Sequence, residues 1–309
     1  MNKKTITFND QRWVSLTSLS ESEKAFLVED CHFLRADVEA CLTLSQRSKI
    51  TRSTSYLFLV LLFPSYNREK KVIEPFELDI FLTKTLLVTI QERPGVVLSQ
   101  LVRSAEESEE VRAQLLDEGP VRLFEILLQQ LLTATFPMID HISIDVREIE
   151  RRLFAGNERA FLEDLLIVRR NIAVFRKTMH AHKFIIRKLV NTLTSRSSFS
   201  PLGDLQSAFE NLVEHTKEIW DALEVQKEEV ETLAETNESL ISHRLNEIMK
   251  KFTTISVMIF AMTLVATILN IGAHGTPLLG IRHAFWYILL LESAVAGVLY
   301  GIFRRKRWL

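Results

Sequence analysis

One uncharged stretch, residues 253–272, constrains the fold of this 309-residue chain more than any other. It reads TTISVMIFAMTLVATILNIG, and its twenty residues match the length that a helix needs to cross a hydrocarbon core of about 30 Å. A second apolar run, residues 284–303, follows a short connection, residues 273–283. The sequence therefore predicts a multi-pass membrane protein with two transmembrane helices, TM1 (253–272) and TM2 (284–303).

The polar side chains of TM1 follow a seven-residue repeat that starts before the membrane. Of the six polar side chains between Thr253 and Asn270, only Thr254 lies off this repeat. Two interpretations stay open. The stripe packs helices closely together, or copies of TM1 surround an axis and the stripe lines a water-filled pore. The positions of the repeat, called the polar seam below, are Asn246, Met249, Thr253, Ser256, Phe260, Thr263, Thr267 and Asn270.

Basic residues predict how the two spans are oriented. They precede TM1 and follow TM2, which places both ends on the cytosolic side under the positive-inside rule. An N-terminal signal sequence is not visible, so residues 1 to about 250 are expected in the cytosol of a cell with a bacterial-type inner membrane. Two helices cannot enclose a solvated seam, so a pore would require an oligomer. The basic residues, which would form a cytosolic ring, are Lys250, Lys251, Arg304, Arg305, Lys306 and Arg307.

Residues 1–120 alternate between helix-like and strand-like patterns and predict an α+β cytosolic domain with α/β/α layers. The stretch Ser18–Glu23 contains a Ser followed three residues later by Glu, which predicts a capped helix start. The charged residues of 106–118 are interpreted as a solvated helix face. Short apolar runs predict buried strands at 56–63, ended by Pro64, and at 77–82 and 86–90.

The remainder of the chain is predicted to be helical. Residues 121–203 form a helical hairpin region, with helices at 123–136, 142–154 and 159–193. From Asp204 no Gly or Pro occurs before Gly272, which predicts one helix of about 100 Å. Its first part, residues 204–252, is a stalk that continues into TM1. After TM2, residues 304–309 form a basic cytosolic tail.

Several function classes lack the residues that they need. The chain has two cysteines, Cys31 and Cys41, which are expected to be reduced, and no structural zinc site is predicted. A Gly-rich phosphate loop, a nucleophile elbow and a metalloprotease motif are all absent from the sequence, so an enzyme is not expected. The net charge is −1, nucleic-acid binding has no support, and no covalent cofactor is expected.

Four segments resemble a known family. Residues 243–266, HRLNEIMKKFTTISVMIFAMTLVA, and the C-terminal FRRKRWL resemble the CorA family of divalent-cation channels, which includes ZntB-like zinc transporters. The SQRSKI and SYLFLVLLFPSY segments resemble the cytosolic domain of that family. The resemblance implies a homopentameric funnel in the lipid bilayer that passes Mg²⁺, Co²⁺, Ni²⁺ or Zn²⁺, and it favours pore lining for the seam.

The resemblance also implies roles for individual residues. Asn246, Met249 and Phe252 would form a cytosolic constriction, with a Phe260 ring in the membrane. Threonine hydroxyl rings, Thr263 and Thr267, would lie above it. Apolar rings gate by dewetting, because a hydrated ion does not easily lose its water there. Phe252 lies off the seam, so packing between stalk helices is the alternative for that residue.

The outer mouth departs from the family pattern. The hallmark Gly-Met-Asn motif is absent, and the connection that follows TM1 contains no carboxylate to gather cations. An alternative function is therefore a CorA-fold protein that has lost Mg²⁺ selectivity and acts as a pore for another ion, or as a sensor or scaffold. The residues in place of the hallmark are Asn270, Ile271 and Gly272.

Acidic residues supply two further candidates. Glu292 lies within TM2, where an ionisable group marks a candidate functional site; it either bonds to Thr263 or Thr267 or makes a structural contact. In the stalk, Glu214-His215-Thr216 matches the family, but Asn211 replaces an Asp that binds regulatory divalent ions in some members. The remaining candidate metal ligands there are Asp204, Glu210 and Glu214.

Overall fold

The computed structural model describes residues 3–43, 45, 47–155, 158–194, 203–269, 271, 282–306 and 308. The chain divides into two compact units, Met1–Leu233 and Ala234–Leu309. The first unit contains a mixed sheet and most of the helices. The second contains the C-terminal part of one long helix and a separate final helix.

The sheet of the first unit has six strands within the described residues. Its strand order is β1-β2-β6-β5-β4-β3, and only β2 and β6 pair in parallel among its five pairings. The central strands are mostly apolar, and β4 is a continuous apolar run from Leu57 to Phe63, because side chains on both of their faces are buried. The strands are β1 (Lys3–Phe8), β2 (Gln11–Thr17), β3 (Lys49–Arg52), β4 (Leu57–Asn67), β5 (Val72–Leu82) and β6 (Leu86–Gln91).

The prediction that Pro64 ends its strand is wrong, because β4 continues through it to Asn67. Pro64 lies directly opposite Pro75 of β5. An opposed antiparallel pair exchanges either two N–H···O bonds or none. Two prolines, which have no N–H, therefore occupy a pair that needs no donor, and the ladder continues on either side of them.

Helices flank the sheet and follow it in sequence. The predicted cap at the first helix is present, since Ser20 and Glu23 form a capping box. A π-helical turn, Phe26–Asp30, follows this helix directly. The helices are α1 (Glu21–Ala25), α2 (Arg35–Ala40), α3 (Val96–Glu107), α4 (Glu109–Leu116), α5 (Pro120–Thr133), α6 (Phe136–Ala155), α7 (Glu158–Met179), α8 (His182–Thr194), α9 (Gly203–Leu269) and α10 (Ala284–Arg305).

One helix of the sequence prediction, residues 159–193, is two helices in the structure, and the prediction is corrected here. The chain turns at His180 and Ala181, between α7 and α8. Neither Gly nor Pro marks this break. Instead His182 is completely buried, with its ring centroid 4.8 Å from that of Phe63 on β4. Packing against the sheet therefore positions the start of α8.

Asn171 joins α7 to the hairpin between β4 and β5. Its side chain is 3% exposed. The Oδ1 atom accepts a hydrogen bond from the Ile73 N–H (2.9 Å), and Nδ2 donates to the Lys71 carbonyl (3.1 Å). Lys71 has a positive φ of 55°, which marks the turn of the hairpin. The Asn171 amide therefore satisfies backbone groups at the point where regular strand pairing ends.

Replacement of Asn171 by alanine should destabilise the first unit by about 2 kcal/mol, because two buried backbone groups lose their partners. We expect the apparent Tm of the full-length protein in detergent to fall by several degrees. Asn191→Ala, in which the lost side chain is exposed, is the matched control and should leave Tm nearly unchanged. Equal melting of the two variants would contradict this role.

The second unit contains the apolar C-terminal part of α9 and all of α10. The long helix α9 is continuous to Leu269, as the absence of Gly and Pro predicts. Among the described residues, two helices are long and apolar enough to cross a membrane, Leu205–Leu269 and Ala284–Arg305.

Candidate ion pathway

The seam residues of TM1 are mostly exposed in the single chain. Every seam position from Asn246 to Thr267 lies on α9, and all of them except the half-exposed Ser256 are exposed. Phe260 is 77% exposed and Met249 60%. Within the described residues of one chain, therefore, no other element covers the seam.

The opposite side of α9 is the less exposed one. Thr254 is fully buried, and further positions of low exposure recur at Met258, Ala261, Val265 and Leu269. At about 100° per residue, these positions lie on the side of the helix roughly opposite the seam. On α10 the less exposed positions also form one stripe: Ala284, Ile288, Glu292, Val295, Ala296, Leu299 and Phe303. Each of the two helices therefore has one less exposed side, and on α9 this side lies opposite the seam.

The threonine hydroxyls of the seam donate within their own helix. Thr263 Oγ1 donates to the Ile259 carbonyl (2.8 Å), and Thr267 Oγ1 donates to the Thr263 carbonyl (2.7 Å). A hydroxyl has one proton and two lone pairs. Each of these oxygens therefore keeps acceptor capacity on the exposed face, which suits a ligand that donates hydrogen bonds, such as the water shell of a cation.

Phe252 lies on a different stripe from the seam. This apolar stripe consists of Ile241, Leu245, Ile248, Phe252 and Ile255, all exposed. Its steps of 4, 3, 4 and 3 residues are the spacing of a coiled-coil interface. Phe252 therefore lies beside the seam, and this placement favours packing between stalk helices for this residue. Met249 lies on the seam itself.

The outer mouth lies largely outside the described residues. Asn270 and Gly272 fall there, so their predicted roles are not addressed by the structure. Ile271 is 55% exposed, and its N–H reaches the Ile268 carbonyl at 3.4 Å. Arg282 and His283, just before α10, are exposed.

Comparison with known proteins identifies the family. Residues 9–305 match the family described as CorA-like Mg²⁺ transporter protein. The chain belongs to this family. The CorA family consists of membrane transporters rather than enzymes, and the predicted resemblance, fold class and membrane character are confirmed.

Individual CorA relatives match along most of their length. The cobalt/magnesium transport protein CorA of Thermotoga maritima is 22% identical over 306 residues, which cover 96% of this chain and 83% of the relative. The putative metal ion transporter YfjQ of Bacillus subtilis is 23% identical, with coverages of 96% and 89%. The solved structure of the complete CorA magnesium transporter from Methanocaldococcus jannaschii has a TM-score of 0.84 at 18% identity, covering 98% of this chain and 94% of that one.

Glu292 lies on the less exposed stripe of α10 and is half-exposed. The hydroxyls of Thr263 and Thr267 already donate to carbonyls of their own helix, and neither bonds to Glu292. Among the described residues, the Glu292 carboxylate makes no hydrogen bond or ion pair. An unpaired ionisable group at this depth in a CorA-type TM2 stays a candidate polar site.

The basic residues that flank the two apolar helices are exposed where the structure describes them. Arg304 and Arg305 at the end of α10 are exposed, and so is Lys306, which follows them. The rings of Phe303 and Trp308 stack with their centroids 5.9 Å apart. On α9, Lys250 and Lys251 are exposed as well, whereas Arg307 lies outside the described residues.

The stalk carboxylates border a cavity between α8 and α9. Glu210 and Glu214 line this space of about 810 Å³ together with Arg187 and Gln206. Gln206 Nε2 donates to Glu210 (3.1 Å) and Lys217 Nζ to Glu214 (3.0 Å). No group of three or more His, Cys, Asp or Glu side chains with metal-binding spacing occurs among the described residues. The Asp204 side chain is outside them, so a stalk metal site stays a prediction.

Adjacent threonines test which side of α9 is packed. Thr254→Leu should destabilise the protein by about 1–3 kcal/mol, because extra methyl groups overpack a fully buried site. Thr253→Leu makes the same substitution at an exposed position and should leave the melting temperature in detergent almost unchanged. A larger effect at Thr253 than at Thr254 would reverse the assignment of the two faces.

Proposed function

We propose that this protein is a homopentameric channel that passes divalent metal cations passively through a central pore lined by the polar seam. The observation that carries the proposal is that the seam is exposed and lies on the side of α9 opposite its least exposed side. A polar stripe left uncovered by its own chain must meet lipid, other copies, or water.

Contact with lipid is the least favourable of these surroundings. The free acceptor capacity of Thr263 and Thr267 would have no donors in hydrocarbon, and unsatisfied polar groups are costly there. Copies of α9 around an axis give these oxygens water instead. The adjacent apolar stripe with Phe252 supplies the surface through which neighbouring copies pack, so one helix meets water, a neighbour and α10 on three sides.

The pore chemistry follows from the side chains of the seam. Five copies of Thr263 and Thr267 would form rings of neutral oxygen acceptors, which bind the hydration waters of a cation without stripping them. Phe260 and Met249 would form apolar rings at which the pore closes by dewetting. The basic ring formed by Lys250, Lys251, Arg304, Arg305, Lys306 and Arg307 lies where it opposes cation passage at the cytosolic end and requires screening or displacement before ions pass.

The proposal includes the following domain organisation. The cytosolic domain is residues 1–120, followed by the helical hairpin region 121–203 and the stalk 204–252. TM1 spans 253–272 and TM2 spans 284–303, with the outer loop 273–283 between them and the basic tail 304–309 in the cytoplasm. The membrane is a bacterial-type inner membrane, and both termini lie inside.

The names of the relatives suggest the ion class. The Thermotoga maritima relative is named as a cobalt/magnesium transport protein, which supports Mg²⁺ and Co²⁺ as cargo, with Ni²⁺ and Zn²⁺ as further members of the class. The second candidate function, loss of Mg²⁺ selectivity with conduction of another ion or a sensor or scaffold role, is favoured by Asn270, Ile271 and Gly272 at the mouth.

Flux into liposomes tests conduction directly. The reconstituted full-length protein should pass at least one divalent cation, and Phe260→Ala should raise its flux severalfold because an apolar constriction is removed. Ile268→Ala removes another exposed apolar side chain (51% exposed) from a position off the seam and should leave flux unchanged. If the wild type passes no Mg²⁺, Zn²⁺, Co²⁺, Ni²⁺, Na⁺ or K⁺, the channel proposal fails; native mass spectrometry of the same sample checks for five copies.

Restoring the hallmark separates the two candidate functions. A variant with Gly-Met-Asn at positions 270–272 should gain Mg²⁺ flux over the parent if the mouth sets selectivity, because amide oxygens then face the entering hydrated ion. The control is Co²⁺ and Ni²⁺ flux in the same two proteins. No gain would show that the mouth does not limit Mg²⁺ passage.

A further inference from the structure

A cavity of about 410 Å³ lies between α7 and the first half of α9. Its residues all belong to the first unit, which ends at Leu233. On each helix they are spaced three, four or seven residues apart, so they share one face of that helix. We call this space the α7–α9 cavity. Its lining residues are Arg169, Ile172, Ala173 and Arg176 of α7, and Lys227, Val230 and Glu231 of α9.

The cavity combines an apolar floor with polar walls. Ile172 and Val230 are 3% and 2% exposed and form the floor. Arg176 and Lys227 are half-buried, whereas Arg169 is exposed. Small-molecule sites typically have volumes of about 300–1,000 Å³ and place a few polar groups around an apolar surface. The size and the lining of the α7–α9 cavity therefore match a small ligand.

The charges around the cavity do not balance. Glu224, which lies next to the cavity on α9, pairs with Arg176 (2.5 Å) and with Lys227 (3.2 Å). Lys227 is also 3.7 Å from Glu231. Three positive charges therefore face two negative ones, and the third cation, Arg169, makes no hydrogen bond or ion pair among the described residues. A ligand that complements this lining carries negative charge.

The two guanidinium groups differ in how they are held. Arg176 donates to Glu224, and its guanidinium carbon lies 4.7 Å from the ring centroid of Trp220. These two contacts fix its position before any ligand binds. A guanidinium has five N–H donors, so Arg176 keeps donors beyond the one that Glu224 accepts. Arg169 keeps all of its donors, and guanidinium groups match phosphate oxygens in a bidentate geometry.

The spacing of the cations indicates the size of the anion. Arg169 and Arg176 are seven residues apart on α7, or about 10 Å along the helix axis. A phosphate group carries about two negative charges and three acceptor oxygens. One such group is too small to contact both guanidinium groups without bringing the side chains together, whereas two linked phosphate groups extend further.

We propose that the α7–α9 cavity binds a small organic anion with at least two linked phosphate groups. The phosphate oxygens accept from Arg169 and Arg176 on α7 and from Lys227 on α9. The organic part of the ligand lies on the apolar floor formed by Ile172 and Val230. Such a ligand bonds α7 to the same continuous helix that carries the polar seam. The proposal concerns binding alone and does not depend on conduction through the seam.

Isothermal titration calorimetry with the full-length protein in detergent tests this site. The probes are ADP, pyrophosphate and adenosine, and the buffer contains no divalent cation, since such cations would chelate the phosphates. ADP should bind most tightly because it uses both the cations and the floor. Pyrophosphate should bind more weakly, and adenosine, which has no phosphate, should not bind.

Two neighbouring arginines provide a matched pair of variants. Arg169→Gln should weaken ADP binding about tenfold or more, because charge-assisted hydrogen bonds are lost. Arg170→Gln removes the same charge from an exposed position that does not line the cavity, and its affinity for ADP should equal that of the wild type. Lys227→Gln tests the α9 side and should also weaken binding. The melting temperature of each variant without ligand checks that it is folded.

Three results would overturn the site. The first is that neither ADP nor pyrophosphate binds to the wild-type protein. The second is an equal loss of affinity in Arg169→Gln and Arg170→Gln, which would mean that the anion responds only to the overall charge of the surface. The third is adenosine binding as tight as that of ADP, since the cations would then contribute nothing. Pyrophosphate that binds as tightly as ADP would overturn the role of the apolar floor.

Discussion

A polypeptide in hydrocarbon must satisfy its backbone hydrogen bonds within itself, and this constraint organises the C-terminal part of the chain. A continuous α9 meets it up to Leu269. Once the helix is regular, its period assigns every side chain to a face. Thr254 is placed on the packed side and Thr253 on the exposed side, although they are neighbours in sequence. The polar seam is thus a consequence of helical geometry acting on a seven-residue repeat.

The sequence predicts well those features that depend on neighbours within one or two helical turns. Local patterns predict the capping box of Ser20 and Glu23, strand β6, the C-terminal half of β5 and the uninterrupted course of α9. The seam belongs to the same class, since its members are three or four residues apart. Their exposure in the structure required no knowledge of distant contacts.

Features that depend on distant contacts could not be predicted in this way. The turn between α7 and α8 has no Gly or Pro, and it coincides with the burial of His182 against Phe63, more than a hundred residues earlier. Burial lowers the pKa of His182 to about 4, so the ring is neutral and packs as an apolar group. The burial of Asp79 on β5 is similar, because its surroundings are set by Cys41 and by strand neighbours that periodicity does not reveal.

The neutral side chains of the seam bear on how a CorA-type pore can pass a strongly charged ion. Rings of carboxylates along a narrow pore would bind a divalent ion strongly and slow its exit, since conduction requires binding that is weak and distributed over several sites. Thr263 and Thr267 offer neutral oxygens whose own protons are already bonded to backbone carbonyls. In the proposed pore, these oxygens would accept hydrogen bonds from the ion's water shell and release it again, so a seam of hydroxyls is better suited to passage than to storage.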